Sequence, residues 1–400
     1  MKKNKVFLIV LILIFITTIC IIDNKNKTMS INEILSTNYY TYLPDQAKEY
    51  IQNVYEETGE VLKTEKNKER KQPYLNPEYV TYLSLTQEEQ REYDVIPEEL
   101  TTDYVYSEKN NLKKNHTIPE SFDLRNVNGK NYTTPVKDQA GLGLCWVFGT
   151  YGQIESLLLI QNNQTYTEEA EIFSERQIDY ATANNGLTDH NPLYQYSRIL
   201  GDGGNFQYAT SVMIDGLGLV DTSWKVYDDD DYESMEMNQV YNFYNSKYEV
   251  TGTITYPDLD LASLDLTIEE NQILRKNYLN NLKSLIMEYG GSYIGTADPT
   301  GKCSVSLNGS RFMYDDGQCA SAGHAMQVIG WDDNYEYSVC SGTKDKYGYY
   351  HINTDVDNCQ EGTIITGKGA WILKNSWGNS QQYVYIAYDS YDMTFGITLL

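Results

Sequence analysis

Positive charge is scarce in this chain of 400 residues. It carries 31 Lys and Arg against 56 Asp and Glu, a formal net charge of −25. Proteins that bind nucleic acid use Lys and Arg to neutralise phosphates, so this charge balance argues against a nucleic-acid partner. The excess of like charge favours a soluble chain but indicates no particular substrate.

Metal-binding spacings are absent as well. Neither C-x-x-C nor H-x-x-x-H occurs, and only four histidines are present, so the sequence predicts no zinc site. We expect neither a metal nor another cofactor. By contrast, 41% of the residues are hydrophobic and 13% are aromatic, including 37 tyrosines. This supply of apolar side chains is enough for a buried core, which excludes a disordered or collagen-like chain.

Long apolar runs are confined to the N-terminus. Lys2, Lys3 and Lys5 precede an almost uninterrupted apolar stretch over residues 6–22, which is the pattern of a secretory signal. A spanning helix needs about 17–25 apolar residues, so the stretch is also just long enough for an anchor. No small-x-small cleavage site is evident, and residues 1–22 are either a signal peptide or a signal anchor. Both predict a secreted or surface protein that touches the membrane only through residues 6–22.

The rest of the chain changes character near residue 116. Residues 23–115 are polar and contain no cysteine, as in a spacer or a removable pro-segment. Helical patterns follow over 145–161 and 175–183, and Ser174 and Gln177 have the spacing of a capping box for the second helix. Segments of strand-like composition come later, at 292–297, 325–331, 371–374 and 383–387.

Helices followed by strands predict an α+β protein with two lobes. The helical lobe is expected over about residues 137–250. The β-rich lobe is expected over about residues 251–400 together with 117–136. Both belong to one catalytic domain, residues 116–400.

Five cysteines lie outside the N-terminal stretch. Cys303 with Cys319, and Cys340 with Cys359, are the natural local pairs, because each would close a short loop. Free thiols at all four positions remain the alternative. An odd number of cysteines in an exported chain leaves one unpaired thiol, and on this arithmetic it is Cys145.

One cysteine, one histidine and one asparagine stand in settings that suit catalysis. Cys145 opens a predicted helix behind Gly141 and Gly143, and a helix N-terminus stabilises a nucleophilic thiolate. His324, directly before an apolar strand, is the candidate base. The amide of Asn375 can hold an imidazole so that its other nitrogen faces the thiol. Each segment alone has an ordinary structural explanation, but their combination is far more specific.

From Ile118 to its C-terminus the chain resembles the papain-like cysteine peptidases. The resemblance rests on the sequence blocks at residues 119–125, 135–139, 145–146, 173–177, 203–206, 323–325 and 374–378. It implies the fold of that family, in which a helical lobe carries a central nucleophile helix. A barrel-like β lobe faces it across a cleft.

The resemblance also implies roles for the reacting residues. Cys145 would be the nucleophile, His324 the general base and acid, and Asn375 the residue that orients the imidazole. The side chain of Gln139 and the backbone N–H of Cys145 would form the oxyanion hole.

Four further residues are implied in substrate binding or in shielding the site. Gly203 and Gly204 would pair with an extended peptide backbone, since glycine leaves room for the approach. Ala325 would line the S2 pocket. Trp377 would shield the bond between the histidine and the asparagine from water.

The chain departs from the family pattern at Leu142. The family usually has a cysteine at this position, three residues before the nucleophile, and the disulfide that it forms is therefore missing. We expect the wall of the cleft to be held by packing alone.

These features predict an exported, papain-like cysteine endopeptidase that is made as a precursor. Its partners would be a peptide or protein substrate and its own pro-segment, residues 23–115, which would cover the cleft until it is removed near residues 116–119. Two other functions remain open. One is a Cys–His amidase or transglutaminase acting on cell-wall or protein amides, and the other is a non-catalytic surface protein that binds peptides.

Overall fold

The chain forms two compact units. The computed structural model describes residues 74–75, 82, 85–90, 93, 95–97, 100–101, 117–187, 198–224, 233–240, 246–256, 259–299, 302–317, 323–344, 350–359, 362–391 and 393–400. One unit consists of residues 1–81 and 99–105, and the other of residues 82–98 and 106–400. The predicted signal segment, residues 1–22, lies outside the described residues. No helix within the described ranges is long and apolar enough to cross a membrane.

The first unit contributes one described antiparallel strand pair, β1 (Tyr74–Leu75) with β2 (Leu100–Thr101). The second unit contains the described helices. They are α1 (Gln87–Gln90), α2 (Cys145–Gln161), α3 (Glu175–Thr182), α4 (Phe206–Ile214), α5 (Met237–Val240) and α6 (Glu269–Tyr289). Short 3₁₀ turns occur at Leu124–Asn126, Thr222–Trp224 and Val356–Asn358.

A ten-stranded sheet makes up the β lobe of the second unit. Its strands are β3 (Ser121–Asp123), β4 (Gly252–Tyr256), β5 (Ser292–Thr296), β6 (Ser304–Leu307), β7 (Ser310–Met313), β8 (His324–Lys344), β9 (Tyr350–Asn353), β10 (Thr363–Lys374), β11 (Tyr383–Ala387) and β12 (Thr394–Leu399). The order is β4-β12-β5-β8-β10-β11-β7-β6, and β3 and β9 also pair with β8. The predicted α+β fold, with a helical lobe and a β lobe, is confirmed.

Helix α2 is buried along nearly its whole length, from Cys145 to Leu159, as expected for a helix that is apolar on all sides. Two glycines allow its close approach to β8. A side chain at Gly149 would come within 2.8 Å of the backbone oxygen of Met326, and one at Gly152 within 2.6 Å of the side chain of Gln327. The backbones of α2 and β8 therefore pack directly on each other.

Helix α3 forms where it was predicted, but without the predicted capping box. Ser174 is the N-cap residue and makes no side-chain capping bond. The side-chain amide of Gln177 donates instead to the backbone oxygens of Gly218 (2.7 Å) and Val240 (2.8 Å). Because a buried carbonyl and a partly buried one both use this donor, tertiary contacts outweigh the local capping pattern.

Strands β8 and β10 are much longer than the predicted segments at 325–331 and 371–374. The sequence after Trp331 begins with Asp332, Asp333 and Asn334, which are poor strand formers. The strand continues because Tyr337 and other apolar residues beyond this point are buried in a cluster around Phe312. Packing against cross-strand neighbours thus decides where the strand ends.

A disulfide joins Cys340 on β8 to Cys359, with their Cα atoms 5.6 Å apart. Cys303 is also disulfide-bonded, and Cys319, its predicted partner, lies outside the described residues. Cys145 is buried and belongs to no disulfide.

Candidate active site

Helix α2, which begins at Cys145, packs against strand β8, which begins at His324. Gly149 lies one helical turn after Cys145 and faces Met326, which lies two residues after His324. One helical turn advances about 5.4 Å and two strand residues advance about 6.6 Å, so we expect Cys145 and His324, the first residues of the two elements, to lie near each other. Leu144, the N-cap residue of α2, makes no side-chain capping bond. The positive end of the helix dipole is therefore available to the thiol.

Asn375, at the end of β10, holds the imidazole of His324. Nε2 of His324 lies 2.7 Å from Oδ1 of Asn375. The amide is oriented by its own donation from Nδ2 to the backbone oxygen of Gln381 (3.2 Å). Because Oδ1 can only accept, Nε2 of the neutral ring carries the proton and Nδ1 is the basic nitrogen. Nδ1 is buried and has no hydrogen-bond partner among the described residues.

The surroundings of His324 are apolar on one side. The ring of Trp377 packs against the imidazole, with the ring centroids 4.6 Å apart. Burial lowers the pKa of His324, whereas its hydrogen bond to Asn375 and the charge of Asp298 raise it. Burial dominates, so this closed environment favours the neutral imidazole over the imidazolium.

Ser376 connects the asparagine to Gln139. Its hydroxyl donates to Oε1 of Gln139 (2.6 Å) and its N–H donates to Oδ1 of Asn375 (2.8 Å). The amide of Gln139 is thereby oriented so that Nε2 donates one hydrogen to the backbone oxygen of Leu142 (2.8 Å). The second hydrogen on Nε2 is available to an oxyanion. Sequence reasoning missed Ser376, whose only signal is its position directly after Asn375.

A buried cluster of charges adjoins the asparagine. Nζ of Lys137 lies 2.6 Å from carboxylate oxygens of both Glu155 and Glu175, and Lys374 donates to the hydroxyl of Thr134 (2.9 Å). Burial lowers the pKa of Lys374 from 10.5 to about 8, although Glu155 opposes this shift. Burial raises the pKa of Glu175, whereas the charge of Lys137 lowers it. Sequence reasoning did not anticipate this cluster.

The two predicted glycines of the cleft have different partners. The backbone oxygen of Gly203 accepts a hydrogen bond from Nε of Arg198 over 2.8 Å. A side chain at Gly204 would collide with the indole of Trp146, so no larger residue fits there. The expectation that packing alone holds this wall is wrong. A buried guanidinium binds it, because a loop without the disulfide still has backbone carbonyls that must be satisfied.

A described stretch of the predicted pro-segment runs along Gly204. Val95 and Gly204 form a parallel β-bridge, and the N–H of Ile96 donates to the backbone oxygen of Gly204 over 2.8 Å. Ile96 is buried. A side chain at Gly323, the residue before His324, would lie 3.4 Å from Val95. The segment therefore hydrogen-bonds to Gly204, and Val95 lies close to the residue before His324.

Ala325 is fully buried and pairs with Gly295 of β5. It lines a small internal cavity together with Lys374, Asn375 and Ser376, and its place in a substrate pocket stays a prediction. No group of three or more His, Cys, Asp or Glu side chains within the described part of the chain is arranged to hold a metal ion.

Comparison with known proteins shows the same family along most of the chain. The model of the papain family of cysteine proteases matches residues 118–395. Zingipain-2 of Zingiber officinale is 24% identical over 270 residues, which are 66% of this chain and 83% of the relative. Falcipain-3 of Plasmodium falciparum is 24% identical over 62% of this chain and 36% of the relative.

One solved structure shares the fold with a TM-score of 0.51. It contains the cysteine protease and lectin-like domains of Cwp84, a surface layer associated protein of Clostridium difficile. At 18% sequence identity the match covers 81% of this chain and 59% of that one.

The fold and the family match together define a cysteine-type peptidase. The chain belongs to the papain family of cysteine proteases.

Proposed function

We propose that this chain is an exported endopeptidase, made as a precursor, that hydrolyses peptide bonds through Cys145, His324 and Asn375. The observation that carries the proposal is the 2.7 Å contact between Nε2 of His324 and Oδ1 of Asn375. It leaves Nδ1 as the basic nitrogen, which is buried and has no hydrogen-bond partner among the described residues. A base, a thiol and an orienting amide in this arrangement suit acyl transfer.

The first half of the reaction forms a thioester. Nδ1 of His324 takes the proton of the Cys145 thiol, and the sulfur attacks the carbonyl carbon of a peptide. The charge that develops on the carbonyl oxygen is stabilised by the second Nε2 hydrogen of Gln139 and by the N–H of Cys145. The imidazolium then gives its proton to the leaving amine as the C–N bond breaks.

The second half releases the acid. His324 removes a proton from water, which attacks the thioester carbon through a second tetrahedral intermediate. The C–S bond then breaks and the sulfur regains a proton from the imidazolium, which restores the starting state. Asn375 stays hydrogen-bonded to Nε2 throughout and keeps the ring aimed at the sulfur.

The contacts of residues 95–97 support a precursor in which the pro-segment occupies the cleft. The N–H of Ile96 uses the backbone oxygen of Gly204 that an extended substrate would need. The side-chain amide of Asn205 also donates to the backbone oxygen of Pro97 (3.5 Å). A peptide cannot bind along Gly204 while these contacts exist, so cleavage of other chains requires removal of the segment.

A fluorogenic peptide library tests the function. We expect the matured enzyme to cleave within peptides in a thiol-dependent manner, and we expect no cleavage by Cys145→Ala. Cys145→Ser, which replaces only the sulfur by oxygen, is the more conservative control. Full-length protein should be much less active than protein that begins near His116. Cleavage restricted to side-chain amides would instead support the amidase or transglutaminase. Binding of peptides without any thiol-dependent cleavage would support the non-catalytic protein.

A further inference from the structure

The guanidinium of Arg198 is buried and all five of its N–H groups are used. Nε donates to the backbone oxygen of Gly203 (2.8 Å), and Nη2 donates to that of Asp202 (2.6 Å) and to Oδ1 of Asp179 (2.7 Å). Nη1 donates to the backbone oxygen of Asp179 (3.1 Å) and to the hydroxyl of Thr182 (3.0 Å). A planar fork with every donor engaged fixes its partners more closely than a point charge can.

Asp179, on α3, holds the same loop at a second place. Its Oδ1 accepts the N–H of Gly201 over 3.0 Å. The backbone oxygen of Gly201 in turn accepts the N–H of Gly143 over 2.7 Å, and Gly143 lies two residues before Cys145. The pair of Arg198 and Asp179 thus ties the loop over residues 201–204 to the segment that leads into the nucleophile helix.

The contacts of Arg198 and Asp179 also affect the orientation of the Gly204 backbone. The backbone oxygen of Gly203 is engaged by Arg198, and that of Gly204 by Ile96 in the cleft. Two successive carbonyls therefore bind a buried cation and an extended chain. The guanidinium of Arg198 also lies over the ring of Trp146, 5.1 Å from its centroid, and this indole supports Gly204.

We propose that Arg198 and Asp179 are positioning residues for peptide binding, which orient the backbone of Gly203 and Gly204 in place of a disulfide at position 142. The proposal rests on the peptidase function proposed above. It also implies that neither thiol reductants nor oxidants disrupt this wall of the cleft. Such a wall suits an enzyme whose nucleophilic thiol must stay reduced. A purely structural ion pair would affect stability and leave peptide binding unchanged.

The first test uses the full-length chain carrying Cys145→Ala, so that it does not depend on catalysis. Amide hydrogen exchange at Ile96 reports the bond to Gly204. Arg198→Lys keeps the charge but loses the planar fork, and we expect exchange at Ile96 to accelerate about tenfold. Arg275→Lys is the matched control, because Arg275 makes a bidentate pair with Asp389 instead.

Exchange of the β11 amides serves as an internal reference for global stability. Asp179→Asn provides a second variant should Arg198→Lys not fold, and it should also accelerate exchange at Ile96. Unchanged exchange at Ile96 in a folded variant of either residue would overturn the proposal.

The second test measures kinetics after maturation of the full-length chain. Arg198→Lys should raise KM for peptides about tenfold, with kcat and the alkylation rate of Cys145 by iodoacetamide nearly unchanged. Adding reductant should leave the KM of the native enzyme unaltered. An equal fall of kcat and of the alkylation rate, with KM constant, would contradict a positioning role. Absence of cleavage by the native enzyme would count against the peptidase function alone, since the exchange experiment stands without it.

Discussion

Nε2 of His324 and Oδ1 of Asn375 are 2.7 Å apart, and both side chains are buried. The contact selects the tautomer of the imidazole and fixes its direction. A hydrogen bond of this kind to a group that becomes charged contributes about 1.5–3 kcal/mol, and the energy is realised when the imidazolium forms.

Replacing the asparagine should therefore slow catalysis. We expect Asn375→Ala to lower kcat/KM about 10- to 150-fold, which corresponds to that energy range. Steady-state kinetics with a fluorogenic peptide measures the effect, and the exposed Asn379→Ala serves as the control. A loss of less than threefold in folded Asn375→Ala would show that the contact does not orient the base.

Gln139 and Ser376 should act as one unit in the oxyanion hole. Gln139→Ala is expected to lower kcat about 100- to 1,000-fold with little change in KM, because the donor acts in the transition state. Ser376→Ala should also lower kcat, since Oε1 of Gln139 loses the hydroxyl that orients it. In the double variant the Ser376 change should have almost no further effect, as measured by kcat in all four proteins. If the losses in kcat were fully additive, Gln139 and Ser376 would act independently of each other.

The pro-segment contact at Ile96 should control access to Cys145. Ile96→Asp places a carboxylate in a buried position, which disfavours the contact with Gly204 by several kcal/mol. The full-length variant should therefore react faster with iodoacetamide than the native precursor, and should approach the rate of protein that begins near His116.

The exposed Glu88→Ala is a suitable control for this experiment, because it leaves the segment over Gly204 untouched. Equal alkylation rates in the native precursor, in Ile96→Asp and in the shortened protein would contradict an inhibitory pro-segment.

Lys374 should give the folded protein a distinctive pH dependence. Burial lowers the pKa of Lys374 from 10.5 to about 8. Between these pH values the unfolded chain binds more protons at Lys374 than the folded protein does, so its contribution to the unfolding free energy rises with pH. Over the whole interval from pH 8 to pH 10.5, this contribution to the unfolding free energy rises by about 3 kcal/mol. The native protein should gain this amount relative to Lys374→Met between pH 8 and pH 10.5.

Urea unfolding of both proteins at several pH values measures this gain, and titrations that the two proteins share cancel in the comparison. The exposed Lys276→Met is the matched control for the loss of a lysine at the surface. A constant difference between Lys374→Met and the native protein would mean that the buried ammonium is fully compensated by Glu155.

The Cys340–Cys359 disulfide should stabilise the β lobe without taking part in catalysis. Its cysteines are 19 residues apart in sequence, and a loop of that size corresponds to about 3 kcal/mol in the chain-entropy treatment. The double variant Cys340→Ser/Cys359→Ser should lose about this much unfolding free energy while kcat/KM at low temperature stays within twofold. A large fall in kcat/KM with the unfolding free energy unchanged would show instead that the disulfide contributes to catalysis.

Several elements could be predicted because local sequence specifies them. The helix Cys145–Gln161 and the strand Tyr383–Ala387 occur where the apolar pattern placed them. The family and fold class could be predicted from short blocks around Cys145, His324 and Asn375. These blocks combine residue types that chemistry requires with an order along the chain that chance would rarely produce.

Other elements could not be predicted, since their partners are distant in sequence. The capping role predicted for Gln177 failed because its amide satisfies carbonyls at Gly218 and Val240. The extent of β8 depends on its burial against Phe312. The role of Arg198 depends on carbonyls that only the folded loop turns towards it.

By itself, the sequence determined the class of chemistry: which thiol, which imidazole and which amide are available, and in what order. Tertiary structure decided how these groups are oriented and what holds the cleft. Residue types follow from the requirements of proton transfer and nucleophilic attack, which are local. The orientation of Gln139 by Ser376 and of Gly203 by Arg198 arises only when segments from distant parts of the chain pack together. Buried donors and acceptors must then find whichever partners that packing provides.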